Sequence, residues 1–431
     1  MKMFHKKASI LIRDLPEEIL EKIFKNLRGR DILSATLACP EFNVLISKSN
    51  CCMTKIVVKT DGTEGLPKID TLINILSSTI RNYKHLKVCN YDSFNGTFSP
   101  RIFKWETVTI SSVKFLKASH FMTFSRNFAK SLQILKLTNV KILKPSKMKN
   151  KLVAFQRLHT FHCDTPESQF TTNSSKNIDR NLLVDFIHLN SRNLKYLLLH
   201  LTFIPKLYGI TTNLKLRSLI LVCREYEYRF MNLNRSMTDS LTNFLFVQRN
   251  CLSELILDTL NNELLEFIYG KMRLYRFTIG NGHVNLNSDL HLPQNKYIRF
   301  LNMEKDLRMR VLRKIIKATP ELLQVKNRIF NVNMNEVMGI IINQEPDTSL
   351  VNLNYPLEFI YYTGFQVLTF NLFEGKNTEM QATVTKNERA FNRYMVNQLI
   401  ENGSSVFEYF FPDVACAAEV PFCPNLPLFH G

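Results

Sequence analysis

The side chains that could carry acid–base or metal chemistry are few and scattered. Of ten histidines, only His159 and His162 form a close pair, and they lie an odd number of residues apart. A regular strand would therefore point them to opposite faces. The sequence contains no G-x-S-x-G nucleophile elbow, no glycine-rich phosphate loop and no H-E-x-x-H zinc motif. We predict a binding protein in place of an enzyme, with no catalytic residues, no metal ligands and no cofactor.

The cysteines and the apolar runs indicate the compartment. Nine cysteines show no C-x-x-C pair, and their odd number argues against a complete disulfide framework. We interpret them as reduced and mostly buried, which is typical of proteins inside the cell. The apolar run at 8–12 is too short for a signal-peptide core, and no run approaches the roughly 18 apolar residues of a membrane span. The sequence predicts a cytoplasmic or nuclear protein, or one found in both, that is neither secreted nor bound to a membrane.

The net charge of +19 is distributed unevenly along the chain. Lys and Arg number 9 against 6 acids in residues 1–50, and 43 against 20 in 51–330. In 331–431 the balance reverses, with 4 basic residues against 11 acids. A long basic segment favours an acidic partner or nucleic acid.

The stretch 15–42 has the clearest local pattern in the chain. Its first apolar residues recur at i, i+1, i+4, i+5 and i+8, as Ile19, Leu20, Ile23, Phe24 and Leu27. This spacing predicts an amphipathic helix, and Pro16 suits its first turn. We expect Gly29 to end this helix, Asp31 to cap a second helix over 32–38, and Pro40 to open a third. Such a short unit buries little surface alone and needs a partner to pack against.

These residues resemble an F-box, the adaptor-binding module of SCF-type ubiquitin ligases. The resemblance covers about a tenth of the chain. The residues that match the pattern are Leu15, Pro16, Glu18, Ile19, Leu20, Ile23, Phe24, Leu27, Asp31, Leu33, Cys39 and Phe42.

The resemblance implies a set of partners. An F-box docks on a Skp-type adaptor, and the adaptor links it to a cullin and a RING protein. The apolar contact with the adaptor would be formed by Leu15, Pro16, Ile19, Leu20, Ile23, Phe24, Leu27 and Leu33.

Beyond residue 50, a short L-x-x-L-x-L pattern recurs. The seven clear copies lie at 132–137, 158–163, 194–199, 216–221, 252–257, 274–279 and 298–303. Weaker copies lie at 85–90 and 108–112. The centres of the clear copies are 26, 36, 22, 36, 22 and 24 residues apart, and most of these steps fall in the range of leucine-rich repeats.

Helical patterns separate these predicted strands, at 69–83, 120–131, 178–190, 238–249, 263–269 and 307–319. Strand followed by helix, many times over, predicts a parallel sheet in a solenoid or a doubly wound fold. The repeat step favours the solenoid, and the region resembles a divergent leucine-rich-repeat domain. We predict an α/β chain with an all-α three-helix F-box at 9–50 and a leucine-rich-repeat solenoid of parallel strands and outer helices at 51–330. The segment 331–431 would be a C-terminal repeat or capping region that ends in a proline-rich apolar tail.

The function expected from these features is substrate recognition in an SCF-type ubiquitin ligase. In each L-x-x-L-x-L copy we expect the leucines to face the core and the x positions to face the concave sheet surface. That surface would hold an acidic or phosphorylated target protein through Lys136, His159, Lys195, Tyr196, Arg217, Arg276 and Arg299.

The alternative is a basic solenoid that binds nucleic acid through its phosphates, with the N-terminal helices serving only structure. We consider nucleic acid the less favoured partner because we expect the basic residues not to be interleaved with the exposed aromatics that strand-stacking modules use.

Overall fold

The computed structural model describes most of the chain up to residue 328. The described ranges are 12–63, 71–72, 76, 79, 81–94, 104–115, 117–143, 152–166, 168, 171–172, 180–207, 213–223, 233–280, 282–287, 289–304, 307 and 309–322. Backbone alone is described for 171–172, 180, 309–310, 313, 324–328, 357–363, 366–372, 381–385 and 418–421.

The chain forms two compact units. The first comprises Met1–Leu158, Gln169–Leu182 and Ser405–Gly431, and the second comprises His159–Ser168 and Leu183–Ser404. The predicted region 331–431 is therefore divided between the two units. Its proline-rich tail lies outside the described residues, apart from the backbone of 418–421.

The first unit begins with four short helices that follow a 3-10 turn, Ile12–Asp14. They are α1 (Glu17–Asn26), α2 (Gly29–Ala38), α3 (Pro40–Lys48) and α4 (Asn50–Met53). Pro40 opens α3 as predicted, and the Cys39 sulfur accepts a hydrogen bond from the Phe42 amide at the start of that helix. Inside the helical layer the rings of Phe24 and Phe42 meet edge to face, with centroids 5.1 Å apart.

Two details of the predicted helix boundaries are wrong. Gly29 begins α2 and does not end α1, because Leu27 and Arg28 already adopt extended backbone. Asp31 lies inside the first turn of α2, where its negative charge complements the positive end of the helix dipole. Arg28 occupies the N-cap position and makes no side-chain cap hydrogen bond.

A parallel sheet continues the first unit directly after α4. Its strands and the helix between them are β1 (Ile56–Asp61), β2 (His85–Cys89), β3 (Thr107–Ser111), β4 (Lys114–Phe115), α5 (Ala118–Phe128), β5 (Ile134–Thr138) and β6 (Lys141–Ile142). Strands β1, β2, β3 and β5 pair side by side in parallel. Strands β4 and β6 form a separate short parallel pair.

The second unit contains a longer parallel sheet with helices between its strands. Its elements are β7 (Thr160–Cys163), α6 (Leu182–Asn190), β10 (Tyr196–His200), α7 (Ile204–Leu207), β11 (Ser218–Val222), α8 (Arg235–Gln248), β12 (Glu254–Leu257), α9 (Asn262–Lys271), β14 (Arg276–Ile279), β16 (Phe300–Met303), α10 (Met309–Lys317) and β17 (Gln324–Arg328). Short pairs are formed by β8 (Thr171–Thr172) with β9 (Arg180–Asn181) in the first unit, and by β13 (Leu260–Asn261) with β15 (Val284–Asn285) in the second.

The C-terminal strands change the pairing at the sheet edges. Strand β18 (Leu357–Thr363) pairs with β17 in parallel, and β19 (Gln366–Leu372) and β20 (Gln381–Thr385) then add antiparallel. In the first unit, β21 (Ala418–Pro421) pairs in parallel with β1.

The predicted repeat strands agree with this sheet. All seven clear L-x-x-L-x-L copies contain strands, and the two weaker copies correspond to β2 and β3. The middle leucine positions align across the second unit in one register and are at most 2% exposed, as Phe161, Leu197, Leu219, Leu255, Phe277 and Leu301. The architecture is thus mixed α/β with parallel sheets, and its cores are built from the patterned apolar residues.

The expectation that every x position faces an open surface is wrong at the third x position. Side chains in a strand alternate between the two faces of the sheet, so this position points away from the leucines. In five of the six second-unit copies it is nevertheless at most 3% exposed, as His162, Leu198, Ile220, Ile256 and Thr278, and in the last copy Asn302 is half-buried. Three of these side chains are apolar, and their face of the sheet is covered.

Candidate functional site

Exposed apolar side chains are concentrated on the N-terminal helices. Of eleven large hydrophobic residues exposed in the described part of the chain, four lie in the first four helical elements: Ile12 at 55%, Ile19 at 41%, Leu37 at 55% and Val44 at 42%. Exposed apolar side chains that gather on one short segment can form a binding surface where they make a contiguous patch. These helices therefore provide the first candidate site.

The predicted adaptor-binding residues divide into exposed and buried groups. Pro16 and Ile19 are exposed, whereas Leu15, Ile23, Leu27 and Leu33 are half-buried. Leu20 is 5% exposed and Phe24 is 3% exposed, so both lie in the interior of the helical layer. In this conformation Leu20 and Phe24 support the surface and do not form it, and the adaptor-binding role of the set stays a prediction.

A group of polar contacts, centred on Arg81, fixes the helices onto the first sheet of the same unit. The Arg81 guanidinium donates to Thr36 Oγ1 at 3.1 Å and to Asn43 Oδ1 at 2.8 Å, and it also donates to the Tyr83 hydroxyl at 3.3 Å. Thr36 and Asn43 are buried. One side chain from the segment before β2 therefore satisfies polar atoms of both α2 and α3.

Lys55 provides a second tie in the loop that leads into β1. Its ammonium group donates to the carbonyl oxygens of Lys25 at 2.6 Å and Leu27 at 2.8 Å. These carbonyls lie at the C-terminal end of α1, where backbone acceptors lack helical partners and a positive charge is favourable. Together, Arg81 and Lys55 hold three of the four helices against the start of the sheet.

A second candidate site lies along the N-terminal ends of the strands in the second unit. From β10 to β16, the residue immediately before each strand donates its backbone N–H to the carbonyl of the residue immediately before the neighbouring strand, at 2.7 to 3.0 Å. The side chains of these residues follow one another along the sheet edge. We call this row the basic edge; its members are His159, Lys195, Arg217, Ser253, Tyr275 and Arg299.

The structure brings six of the seven predicted target-binding residues to this place. His159, Lys195, Arg217 and Arg299 belong to the basic edge itself. Tyr196 and Arg276 are the first residues of β10 and β14, directly after it. Lys195 and Arg217 are exposed, and the other four are half-buried.

Lys136 does not join the other six residues. It occupies the third x position, inside β5 of the first unit, and is only 7% exposed. We expected Lys136 on the same concave surface as the other six; the structure buries it on another row of the sheet, and its target-binding role stays a prediction. The alternation of the strand places it on a different row of the sheet.

Aromatic rings are interleaved with the positive charges at the basic edge. Tyr275 is 48% exposed and Tyr297 is 40% exposed. The Arg273 guanidinium lies over the Tyr297 ring at 5.4 Å, and that of Arg276 lies over Phe300 at 5.4 Å. The sequence-based argument that exposed aromatics are absent among the basic residues is therefore wrong here, because Arg273 and Tyr297 meet only through the fold.

The positive charge at this edge comes from Lys and Arg side chains and not from histidine. Burial holds the pKa of His159 below its ordinary value, which favours the neutral ring at pH 7. Two of the arginines have acidic neighbours: Arg276 lies 3.9 Å from Glu254, and Arg299 forms an ion pair with Glu321. Lys195 and Arg217 form no ion pair among the described residues.

A buried carboxyl group lies at the opposite ends of these strands. Asp258 follows β12 and accepts the Cys223 backbone N–H at 3.2 Å. Burial, and secondarily the negative charge of Glu304, raises the pKa of Asp258 to about 7. Next to it, a Cβ on Gly280 would approach Asp258 Oδ1 to 2.1 Å, which explains why a glycine is needed there.

The remaining titratable side chains form no metal-binding group in the described residues. That part of the chain holds no cluster of three or more His, Cys, Asp or Glu side chains placed to bind a metal ion. His159 is hydrogen-bonded to the neighbouring Thr160 hydroxyl at 2.8 Å, and His162 is buried. The cysteines in the described ranges are free thiols.

Within the same ranges, no helix is both long enough and apolar enough to cross a bilayer.

Sequence reasoning missed several residues of both candidate sites. Arg81 carries no local signal, because its partners Thr36 and Asn43 lie more than 35 residues away. The helical spacing of apolar residues does not tell whether Leu37 and Val44 lie in the core or at the surface. Tyr275 occupies an x position of one of the predicted repeats, so its exposure could have been predicted from the pattern.

Comparison with known families agrees with the first candidate site. Residues 12–56 match the F-box-like family model. This range contains the four helices, the exposed apolar side chains and Lys55. A search of curated proteins found no match to the chain. The chain therefore contains an F-box-like domain at its N-terminal end, which supports the resemblance stated from the residues.

Proposed function

We propose that this chain is the substrate-recognition subunit of an SCF-type E3 ubiquitin ligase. The observation that carries the proposal is the F-box-like domain at 12–56 with its exposed apolar side chains. F-box domains generally bind Skp-type adaptors, which implies a role as an adaptor-bound subunit. The chain would catalyse no covalent step itself, and it would act by holding a target near the ubiquitin-transfer machinery.

The adaptor would bind to the exposed face of the helical layer. Ile19 and Pro16 from the predicted set would make direct contact, joined by Ile12, Leu37 and Val44. The buried pair Leu20 and Phe24 would hold α1 in place, since Phe24 packs on Phe42. Substituting Phe24 would therefore damage the fold as well as the interface, so an exposed residue provides the cleaner test.

The target would bind to the sheets. We interpret them as a divergent leucine-rich-repeat solenoid, because the strands recur with the L-x-x-L-x-L pattern and align by their leucines. The basic edge supports an acidic or phosphorylated target, since Lys195 and Arg217 are exposed on neighbouring strands. Arg side chains bind carboxylates and phosphates in a two-pronged geometry that favours such partners.

A pair of matched substitutions tests the adaptor interface. Ile19→Glu and Val247→Glu both place a charge on a helical position of nearly equal exposure, 41% and 42%. Each variant is co-expressed with a Skp-type adaptor and the complex is purified. We expect Ile19→Glu to weaken adaptor binding by at least about 30-fold, as for a central interface residue, and Val247→Glu to leave it unchanged. Full adaptor recovery with Ile19→Glu, in a variant that melts like the parent chain, would contradict the proposal.

A second candidate function is binding of single-stranded nucleic acid along the same basic edge. The observation that favours it is the placement of exposed Tyr275 and Tyr297 among arginines. Bases stack on exposed aromatic rings while basic side chains follow the phosphates. In this case the ligand of the basic edge would be a nucleic acid and not a target protein, and the adaptor interface would be unchanged.

A further inference from the structure

The first strand of the first-unit sheet is paired on its outer side with the last strand of the described chain. Strands β1, β2, β3 and β5 follow one another across the sheet in chain order. On the side of β1 opposite β2, the neighbour is β21, and no further strand pairs beyond β21 in the described ranges. We call this side of β1 the β1 edge. It accepts an extended segment that is distant in sequence.

The pairing of β21 with the β1 edge is short. It covers residues 56–59, four of the six residues of β1. The last residue of β21 is Pro421, which has no backbone N–H and is tolerated in a strand mainly at a sheet edge. A short strand that ends in proline forms few main-chain hydrogen bonds, so another extended segment can exchange with it.

The register indicates which residues the β1 edge accepts. Ala418 pairs with Ile56, and Val420 pairs with Val58. Ile56 is 3% exposed and Val58 is 4% exposed, whereas Val57 between them is half-buried. Because residues paired in register share a face of the sheet, a strand on this edge needs apolar residues at two alternate positions. A polar residue is tolerated at the position between them.

The charged groups of β1 are paired with each other. Lys59 lies 3.3 Å from Asp61, and the Asp61 carboxylate also accepts hydrogen bonds from Thr63 and Asn90. An added strand is therefore held by main-chain hydrogen bonds and apolar contacts, which is the usual mode of strand addition. Its binding should depend little on salt, in contrast to binding at the basic edge.

The β1 edge belongs to the same unit as the F-box-like domain. β21 lies beside α2 as well as beside β1, and β1 follows α4 directly along the chain. Arg81 fixes α2 and α3 to the segment before β2. A segment bound at the β1 edge is thus held at a fixed place relative to the helices of the candidate adaptor surface, as proximity catalysis requires.

We propose that the β1 edge is a strand-addition site for an extended segment of the target protein, and that β21 occupies the site until this segment displaces it. The inference rests on the proposed receptor function and names the form of the target segment. The segment pairs with β1 and carries apolar side chains at alternate positions. β21 acts as an internal competitor, so the apparent affinity for the target falls in proportion to the fraction of chains whose edge is open.

The test measures peptide binding to the full chain purified with a Skp-type adaptor. Two fluorescein-labelled peptides are titrated by fluorescence anisotropy. One has the sequence of residues 415–424 with serine in place of both cysteines, and the other is an unrelated peptide in which valine and threonine alternate. Val420→Asn places a polar group at the register position of buried Val58, so we expect it to release β21 and to tighten binding of both peptides about tenfold. The tightening should be the same at low and at high salt.

The matched control is Glu419→Asn, at the neighbouring position of β21. Glu419 pairs with Val57, which is half-buried, so the same asparagine side chain should be tolerated there. Both peptides should bind this variant as they bind the parent chain. Equal tightening in the two variants would overturn the proposal, because binding would then not follow the register of the strand.

A second pair of substitutions closes the β1 edge. Val57→Cys and Glu419→Cys place thiols on register partners, and neighbouring strands lie about 4.8 Å apart, within the range that a disulfide spans. Once mass spectrometry shows the disulfide, the oxidised double variant should bind neither peptide, and dithiothreitol should restore binding. Equal binding in the oxidised and reduced states would locate the peptides elsewhere and overturn the proposal.

The remaining outcomes identify the occupant of the site. Binding of the 415–424 peptide alone would assign the edge to the chain's own C-terminal strand, and dimers of Val420→Asn in light scattering would assign it to a second copy. Either result, or no binding of either peptide to Val420→Asn, would overturn the target assignment. Adaptor recovery is measured in every sample, so failure of the receptor proposal is seen there and not in the peptide titration. Tighter binding of both peptides by Val420→Asn alone, with adaptor recovery unchanged, would support the inference.

Discussion

At the scale of single residues, Asp258 couples stability to pH. Its carboxyl group is held near Cys223 and Gly280, and Glu304 adds a like charge. The pKa of about 7 in the folded chain lies well above the ordinary value of 3.8. Between these two values the folded state binds the proton more tightly than the unfolded state does. The free energy of unfolding therefore receives a contribution that is full at low pH and is lost as the pH rises toward 7.

We predict that Asp258→Asn will flatten this pH dependence. The amide can still accept the Cys223 N–H, but it cannot ionise, so the loss of stability between pH 4 and pH 7 should shrink by at most about 4 kcal/mol. Urea unfolding at several pH values measures the change.

The control for this prediction is Asp92→Asn. The Asp92 side chain is 93% exposed, and its hydrogen bond and charge contact with Lys114 hold its pKa below the ordinary value. Removing that carboxylate should leave the Asp258 contribution intact. If Asp258→Asn and the parent chain show the same slope, the carboxyl of Asp258 is ionised in the folded state and our account of it is wrong.

At the scale of elements, the N-terminal helices are part of the first unit and not a separately tethered module. The chain runs from α4 into β1 with Met53 and Ile56 both buried. Arg81 and Lys55 then connect the sheet side to α1, α2 and α3. A receptor needs such a fixed connection, because proximity accelerates transfer only when the orientation is held.

We predict that Arg81→Met will loosen this connection. The substitution keeps a long apolar stem but leaves Thr36 and Asn43 without the guanidinium, and an unsatisfied buried polar group costs about 1–3 kcal/mol. Urea unfolding should show that loss, and amide hydrogen exchange should increase in α2 and α3.

The matched control is Arg126→Met, at an exposed position of α5. It removes the same charge without touching the helical layer, so stability and exchange should stay as in the parent chain. Unchanged exchange in α2 and α3 of Arg81→Met would show that the helices are held by apolar packing alone.

At the scale of the whole molecule, positive and negative charges are concentrated in different parts of the chain. The basic edge lies in the second unit, and the acids of 331–431 reverse the charge balance of the chain. Exposed charges are screened over about 8 Å at physiological ionic strength. Binding that depends on the basic edge should therefore weaken as salt is added.

The basic edge leads to a prediction that separates the two candidate ligands. Reversing Lys195, Arg217 and Arg276 to Glu should release either an acidic target or single-stranded nucleic acid, while adaptor binding persists. Replacing Tyr275 and Tyr297 with Ala should weaken only nucleic acid, because stacking contributes about 1–3 kcal/mol per base. Binding assays with a labelled oligonucleotide and with a labelled hexaglutamate peptide measure both effects. If the triple variant binds both ligands as well as the parent chain does, at low and at high salt, the basic edge plays no part in recognition.

The sequence by itself determined the repeated apolar framework. The L-x-x-L-x-L spacing placed Leu197, Leu219 and Leu255 in the core because a two-residue alternation leaves a strand few other choices. Pro40 marked the start of α3 because its missing N–H is tolerated only in the first turn. The pattern from Leu15 to Phe42 likewise identified the F-box-like region before any fold was known.

Only the tertiary structure decided which polar and apolar positions are accessible. The alternation of side chains along a strand predicts that Lys136 and Leu198 point away from the leucines, but it does not predict whether that face of the sheet is covered. The exposure of Leu37, the meeting of Arg273 with Tyr297 and the contacts of Arg81 all depend on pairs that are distant in sequence. Local spacing is fixed by backbone geometry over a few residues, whereas burial and contact depend on how the whole chain packs. For this reason the leucines of the repeated pattern could be predicted as core residues, whereas the burial of the x positions between them could not.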